Sequence, residues 1–208
     1  WIPTLYFAEG IPYFIVNQIS VMMFTKMGVP NGQMALFTSL LYLPWTIKPF
    51  WSPLVEIIKT KRWWTIAMQV LMSAAFILLT LTIPRPDAAT IAATQTPISM
   101  FTITLILFVI VAFASATHDI AADGFYMLAL SQKNQAAFVG IRSTFYRISS
   151  IFGQGVLVFI AGMIETRSGN IPLSWKITML VAAIIFSAIT LYHIFFIPKP
   201  STDKSTLA

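Results

Sequence analysis

Long apolar runs follow one another along this chain, separated by short polar stretches. Six runs have the length a membrane-crossing helix needs: Trp1 to Phe24, Met34 to Ile58, Thr65 to Ile83, Ile98 to about Leu130, Ala137 to Ile164 and Trp175 to Ile197. A crossing takes about 20 apolar residues, so the pattern predicts six transmembrane helices. The turn KMGVPNGQ (Lys26 to Gln33), the basic run Lys59, Lys61 and Arg62, the stretch SQKNQA and the loop ETRSGNIPLS supply reversals between them. Trp63 and Trp64 stand where interfacial aromatics belong. The loop Pro84 to Pro97, rich in Pro, Ala and Thr, is expected to have no structure of its own. Residues 198–208 read as a polar linker following a 1–197 transmembrane domain.

Composition agrees with this pattern. The chain is 57% hydrophobic and only 10% charged, and its mean hydropathy is +0.80. Soluble domains carry about 25% charged residues, so an all-α, multi-pass membrane protein is expected. A transmembrane barrel needs short alternating strands, which the pattern lacks. The formal charge of +6 is scattered over loop ends, which fits membrane topology and not nucleic-acid binding. Zero cysteines exclude disulfides and thiolate metal sites. Trp1 to Phe24 is too long for a cleavable signal and holds Glu9, and with Trp in place of Met at residue 1 the natural start is expected upstream. With six crossings both termini share one side. Lys59, Lys61, Arg62, Lys133, Lys199 and Lys204 outnumber Lys26, Arg85, Arg167 and Lys176 opposite, which makes that side cytoplasmic.

The charges inside the apolar runs change the picture most. Glu9 precedes Gly10-Ile11-Pro12, a sequence that predicts a kink, and Lys48 lies between Pro44 and Pro49. Asp119 and Asp123 are four apart and share a helical face after His118. Arg142 and Arg147 open the fifth run, followed by Gly153, Gly155 and Gly162 at spacings that allow close packing. Antiparallel helices joined by a short turn place residues equidistant from that turn at equal depth. About the turn near residue 133, Asp123 is level with Arg142 and Asp119 with Arg147; about the turn near residue 29, Glu9 is level with Lys48. Three ion pairs are therefore expected. One reading makes them structural, above all Asp123 with Arg142. The other makes Glu9, Lys48, Asp119 and Arg147 line a polar path, with Glu9 exchanging protons or contacting substrate. The third and sixth runs carry no charge apart from His193, which is expected at the membrane interface, so these two helices are expected outside the path. Tyr6, Tyr13, Asn17 and Gln18 suit hydroxylated rings as substrate contacts.

Two groups of three helices, with the first, second, fourth and fifth polar, resemble the amino-terminal half of a major facilitator superfamily transporter, built from inverted three-helix repeats. Ser52, Glu56, Lys61 and Arg62 stand at the spacing of that superfamily's cytoplasmic loop motif, with Ser for the usual Gly and Glu for the usual Asp. The resemblance implies that this loop latches the cytoplasmic side. YFAEGIPY (Tyr6 to Tyr13), LYLPWTIKPFWSPLVE (Leu41 to Glu56), ATHDIAADGFYMLAL (Ala116 to Leu130) and FVGIRSTFYRIS (Phe138 to Ser149) look like the AmpG-type muropeptide permeases. That resemblance implies proton-driven import of anhydromuropeptides, cell-wall sugar-peptides, across the bacterial inner membrane for peptidoglycan recycling. It also implies a carboxy-terminal six-helix half beyond this chain. The drug antiporters' Gly-Pro signature is missing from the fifth run, which favours import.

Related transporters of the same superfamily carry acetyl-coenzyme A or sugars, which leaves the solute open. The rival class is a membrane transferase holding Mg²⁺ on Asp119 and Asp123. It needs further acids on another helix, and the level partners are arginines. A third class is an anchoring subunit, for which kinks and buried charges have no purpose. A transporter with no cofactor or metal, whose partners are lipid, solute and protons, is the expectation.

Overall fold

A computed structural model of the chain describes residues 1–84 and 100–205. Apart from Pro84, the loop expected to be unstructured lies outside the described residues. So do the last three residues of the linker. Every regular element among the described residues is helical.

The first run is one continuous helical rod in three parts: α1 (Ile2–Phe14), a π-helical segment (Ile15–Ile19) and α2 (Ser20–Lys26). Pro12 sits inside α1. Its ring has no N–H to donate, and the wider π turn follows immediately, so the expected break takes the form of a change in helical pitch. α3 (Asn31–Ile47) carries Pro44 inside it and passes at Lys48 into a 3₁₀ turn (Lys48–Phe50), then a short α4 (Ser52–Ile57). α5 (Lys61–Thr82) starts at Thr60, whose hydroxyl accepts the Trp63 N–H at 3.1 Å. α6 (Met100–Ala129) has 30 residues, a rod of about 45 Å at 1.5 Å per residue against about 30 Å of hydrocarbon. α7 (Gln132–Ser150), a second π segment (Ile151–Leu157) and α8 (Val158–Ser168) form the fifth rod, ended by Gly169 in the left-handed conformation. α9 (Ile171–Phe196) is capped by Asn170, which accepts the Leu173 N–H at 2.9 Å.

Among the described residues, four rods are long and apolar enough to cross a membrane: Lys61–Thr82, Met100–Ala129, Gln132–Ser168 and Ile171–Phe196. The chain is thus a helical membrane protein. α6 is the central post, flanked by α5, α1 and α3, and α9 packs on α5 and α8. The amino-terminal end of α6 meets Phe24 and Phe37 through Phe101 and Phe108, with rings at 5.2–5.8 Å. The outward faces of α5 and α9 expose Leu78, Leu81, Ile184, Leu191 and Phe195, apolar side chains suited to lipid tails.

The first and fifth rods approach each other closely. A β-carbon added to Gly10 would fall 1.8 Å from Ser149 Oγ, and one added to Gly153 would fall 2.9 Å from Phe14 Cβ. Gly153 therefore has the packing role its sequence position suggested. Gly155 and Gly162 do not: the first meets only its own helix at 3.8 Å and the second nothing within 4 Å.

Candidate functional site

The charges within the apolar runs gather where α1, the 3₁₀ turn, α6 and α7 meet, but their pairing differs from the level reckoning. Asp123 and Arg142 do meet, with Arg142 Nη2 2.5 Å from Asp123 Oδ1. Lys48, however, forms its ion pair with Asp119 and not with Glu9. The reason is lateral packing. α3 and the 3₁₀ turn pack against α6, while α1 packs against α7 and α6, so Lys48 faces the acid on α6. The same geometry separates Asp119 from Arg147, because α7 leaves α6 beyond the connecting turn and runs along α1. Glu9 and Arg147 belong to none of these ion pairs. Glu9 is buried and its Oε2 has no hydrogen-bond partner among the described residues. Arg147 forms no ion pair with a described acid; the four pairs found are Lys26–Glu165, Lys48–Asp119, Lys61–Glu56 and Arg142–Asp123.

Arg142 is held from three sides. Its guanidinium lies over the rings of Tyr6 at 4.3 Å and Tyr126 at 4.7 Å, and the Tyr6 hydroxyl donates to Asp123 Oδ1 at 3.0 Å. A planar cation over aromatic faces and against a carboxylate uses both recognition modes that distinguish Arg from Lys. A cavity of about 340 Å³ opens beside it, lined by Tyr6, Glu9, Arg142, Ser143, Tyr146 and Arg147.

Of the four residues expected to touch a sugar, Tyr6 lines this cavity. Tyr13 packs edge-on against Trp45 at 5.2 Å, Asn17 donates to the Tyr13 carbonyl at 3.0 Å, and Gln18 is exposed beyond them on the first rod. The acids proposed for a metal are both held by cations, Lys48 and Arg142, and no group of three or more His, Cys, Asp or Glu among the described residues is placed to hold a metal ion. That arrangement is a poor donor set for a divalent ion.

A second buried polar system escaped the sequence reading. His193, expected at the interface, is fully buried, as is His118. Gln69 bridges them: its Nε2 is 2.9 Å from His118 Nε2 and its Oε1 is 2.9 Å from His193 Nδ1. His193 Nε2 lies 2.9 Å from Thr4 Oγ1, and that hydroxyl donates to the Trp1 carbonyl at 3.0 Å. Turning the Gln69 amide end for end exchanges its O and N and lets every proton point one way. His118 Nε2–H then donates to Gln69, Gln69 to His193 Nδ1, His193 Nε2–H to Thr4, and Thr4 to Trp1. Only a bare lone pair on His118 Nδ1, which has no partner, is then left over. His193 is buried because α9 lies against α5 and α1 at this level. The signal was present in the sequence: Thr65, Gln69 and Ser73 recur every fourth residue on an otherwise apolar helix, and all three are buried. Ser73 Oγ lies 3.0 Å from Thr190 Oγ1 of α9, extending the seam.

At the end of α5 the loop residues also meet. Lys61, 4% exposed, pairs with Glu56, donates to the Val55 carbonyl at 3.2 Å, and lays its stem against Gly124 of α6. Arg62 donates to the carbonyls of Ile194 and Ile197 at 3.0 and 3.3 Å. Ser52 begins α4, away from these bonds. The linker contributes too: the Asp203 carboxylate accepts the backbone N–H groups of Lys61 and Arg62 at 2.7 and 2.9 Å, and Thr202 donates to the Leu128 carbonyl at 2.8 Å. An acid at a helix amino terminus satisfies donors that have no partner within the helix.

Among known proteins, the chain matches "Putative transporter AmpG 4" of Rickettsia conorii at 26% identity over 194 residues, covering 89% of this chain and 42% of that protein. The protein of the same name in Rickettsia felis matches at 24% over 189 residues, with the same coverage. The chain is related to the AmpG-type permeases. An uncharacterised protein of Haemophilus influenzae matches at 22% over 202 residues, covering 95% of the chain and 42% of that protein. No family model matches. The chain spans about two fifths of the length of these relatives.

Proposed function

We propose that this chain is the amino-terminal, six-helix half of a proton-coupled permease of the major facilitator type, which imports anhydromuropeptides or related cell-wall sugar-peptides across the bacterial inner membrane. The first rod and the α3–α4 segment, with their broken helices and charges, supply the two crossings beyond the four evident ones. Both termini are cytoplasmic. A second half, beyond the residues of this chain, completes the path, and the two halves rock about the polar centre.

One observation supports the reading above the rest: ion pairs and uncommitted charges converge from α1, the 3₁₀ turn, α6 and α7 beside an open cavity. Ionisable groups within a membrane face a partner or water, and here they do both. In this scheme Glu9 carries the proton, the Lys48–Asp119 pair lines the path, the Asp123–Arg142 pair ties α6 to α7, and the Glu56–Lys61–Arg62 loop latches the cytoplasmic face. The relatives' transporter name agrees with a transport role.

The test is uptake of a radiolabelled anhydro-disaccharide-tripeptide by cells expressing the full-length protein, with and without a protonophore. Uptake abolished by the protonophore and by Asp119→Asn, and proton-independent in Glu9→Gln, supports the reading. An absence of flux from protein that is folded and inserted refutes it.

A further inference from the structure

Gly162 opens a gap where the first, fifth and sixth rods come to an end together. A β-carbon built on it would meet nothing within 4 Å. On one side of it a groove of about 490 Å³ runs between α2, α8 and the first turn of α9. On the other, a groove of about 400 Å³ runs along Phe159 and Met163 to Thr166 and Arg167. Both change from apolar to polar in the same direction. Val21, Met22, Val158 and Ala161 wall the inner part of the first groove, and its mouth carries Lys26 and Glu165, an ion pair at 2.9 Å. Val158 and Glu165 are seven residues apart, about 10 Å along the helix. α2 stops at Lys26, α8 at Ser168, and α9 starts at Ile171, so the mouth lies at the end of the bundle, where a membrane-crossing rod meets lipid headgroups.

Two polar groups at this end have no partner among the described residues. Trp175 is 3% exposed and walls the first groove, yet its indole Nε1 makes no hydrogen bond. Arg167 belongs to none of the four ion pairs. With Lys26 balanced by Glu165, Arg167 leaves the rim of the two grooves one net positive charge.

From this arrangement we infer that the two grooves form a site for one phospholipid with a monoanionic headgroup, phosphatidylglycerol. The acyl chains lie one in each groove, astride Gly162. The phosphodiester sits against Arg167 and Lys26, and the Trp175 N–H donates to an ester carbonyl. An indole suits this depth because its ring is apolar and its N–H is polar. Charge selects the headgroup. One net positive charge matches a single phosphodiester, whereas a zwitterionic head brings its own ammonium to a rim that already holds Lys26 and Arg167. Each groove falls within the roughly 300–1,000 Å³ usual for ligand pockets. The site concerns how the helices sit in their membrane and does not depend on which solute is carried.

The experiment is native mass spectrometry of the full-length protein, delipidated in detergent and titrated with phosphatidylglycerol, phosphatidylethanolamine and phosphatidylcholine of identical acyl chains. One phosphatidylglycerol is expected to bind about five times more tightly than either of the others, the attraction that one basic residue exerts on an anionic lipid. Arg167→Gln is expected to erase that preference and leave phosphatidylcholine binding unchanged. Trp175→Phe keeps the ring and should weaken all three lipids about fivefold, because each carries ester carbonyls. Gly162→Leu places its side chain in open space and displaces at least two methylenes of lipid, so it should lower every affinity about tenfold without lowering the melting temperature in lipid-free detergent. Equal affinity for the three lipids, a preference that survives Arg167→Gln, or undiminished lipid binding by Gly162→Leu overturns the inference. A lowered melting temperature for Gly162→Leu in lipid-free detergent also overturns it, since it shows the grooves filled by another part of the protein.

Discussion

Gly10→Ala is the most direct way to disturb the seam on which the cavity depends. The new methyl would stand 1.8 Å from Ser149 Oγ, 2.9 Å from Ser149 Cβ and 3.4 Å from Phe14 Cε2. Turning the serine hydroxyl away relieves the first contact but breaks its bond to the Tyr146 carbonyl, 2.5 Å long. Giving up that bond costs about 1 kcal/mol. The Cβ contact remains, so α1 and α7 must also separate by a few tenths of an ångström, and overpacking of this kind costs about 1–3 kcal/mol. Set against about 1 kcal/mol gained by replacing a helical glycine with alanine, the expected loss is about 1–3 kcal/mol. Ser149→Ala in the Gly10→Ala background removes Oγ and recovers part of the loss. Ser149→Gly removes both contacts and recovers most of it, less about 1 kcal/mol for a second helical glycine. Thermal unfolding of the full-length protein in detergent, read from tryptophan fluorescence, gives the rank order, and sugar-peptide uptake should follow it because Glu9 and Tyr146 lie beside the contact. Wild-type stability in Gly10→Ala, or no rescue by Ser149→Gly, would show that the two helices do not touch here.

Neutralising Lys48 and Asp119 together should be milder than neutralising either alone, by about 1 kcal/mol for a partly exposed pair; a thermal double-mutant cycle checks it. Gln69→Leu leaves both buried histidines without their shared partner and is expected to destabilise by about 2–4 kcal/mol, against less than half of that for Gln69→Asn, measured by the same unfolding assay. Asp203→Ala should cost about 1 kcal/mol as a lost helix cap and should speed protease cleavage within residues 198–208, followed by mass spectrometry. Arg142→Lys keeps the charge but loses the stacking over Tyr6 and Tyr126, so it should lower the melting temperature more than the conservative change suggests.

Depth and neighbourhood were not equally legible along the chain. Hairpin counting places Asp123 level with Arg142, and the two meet because they lie close to the turn, where α6 and α7 are still adjacent. The same counting places Asp119 level with Arg147 and Glu9 level with Lys48, yet neither pair forms. Sequence spacing fixes how far a residue lies along its helix, not which helix lies beside it. The neighbours are chosen by close approach, Gly10 on Ser149 and Gly153 on Phe14, which draws α7 onto α1 and leaves α6 free to receive α3. Gly153 was noticeable in the sequence, but its partner was not. The histidine seam was missed for a different reason. Uncharged polar residues carry a signal only when read together: Thr65, Gln69 and Ser73 recur every fourth residue on α5 and describe a buried stripe.

That distinction also separates the structural charges from the functional ones. The six ionisable groups at the junction are three acids, Glu9, Asp119 and Asp123, and three bases, Lys48, Arg142 and Arg147, so a count of charges predicts a neutral and fully paired cluster. The packing forms two pairs and leaves Glu9 and Arg147 over, on the same cavity. If charge pairing served stability alone, the leftover acid and base would be the costliest members of the cluster, and replacing both with apolar residues would stabilise the protein. A Glu9→Leu, Arg147→Met variant that melts higher than wild type and takes up no sugar-peptide is the outcome this argument requires. If the same variant melts lower, the two residues contribute to the fold, and the cavity loses its claim to be the site.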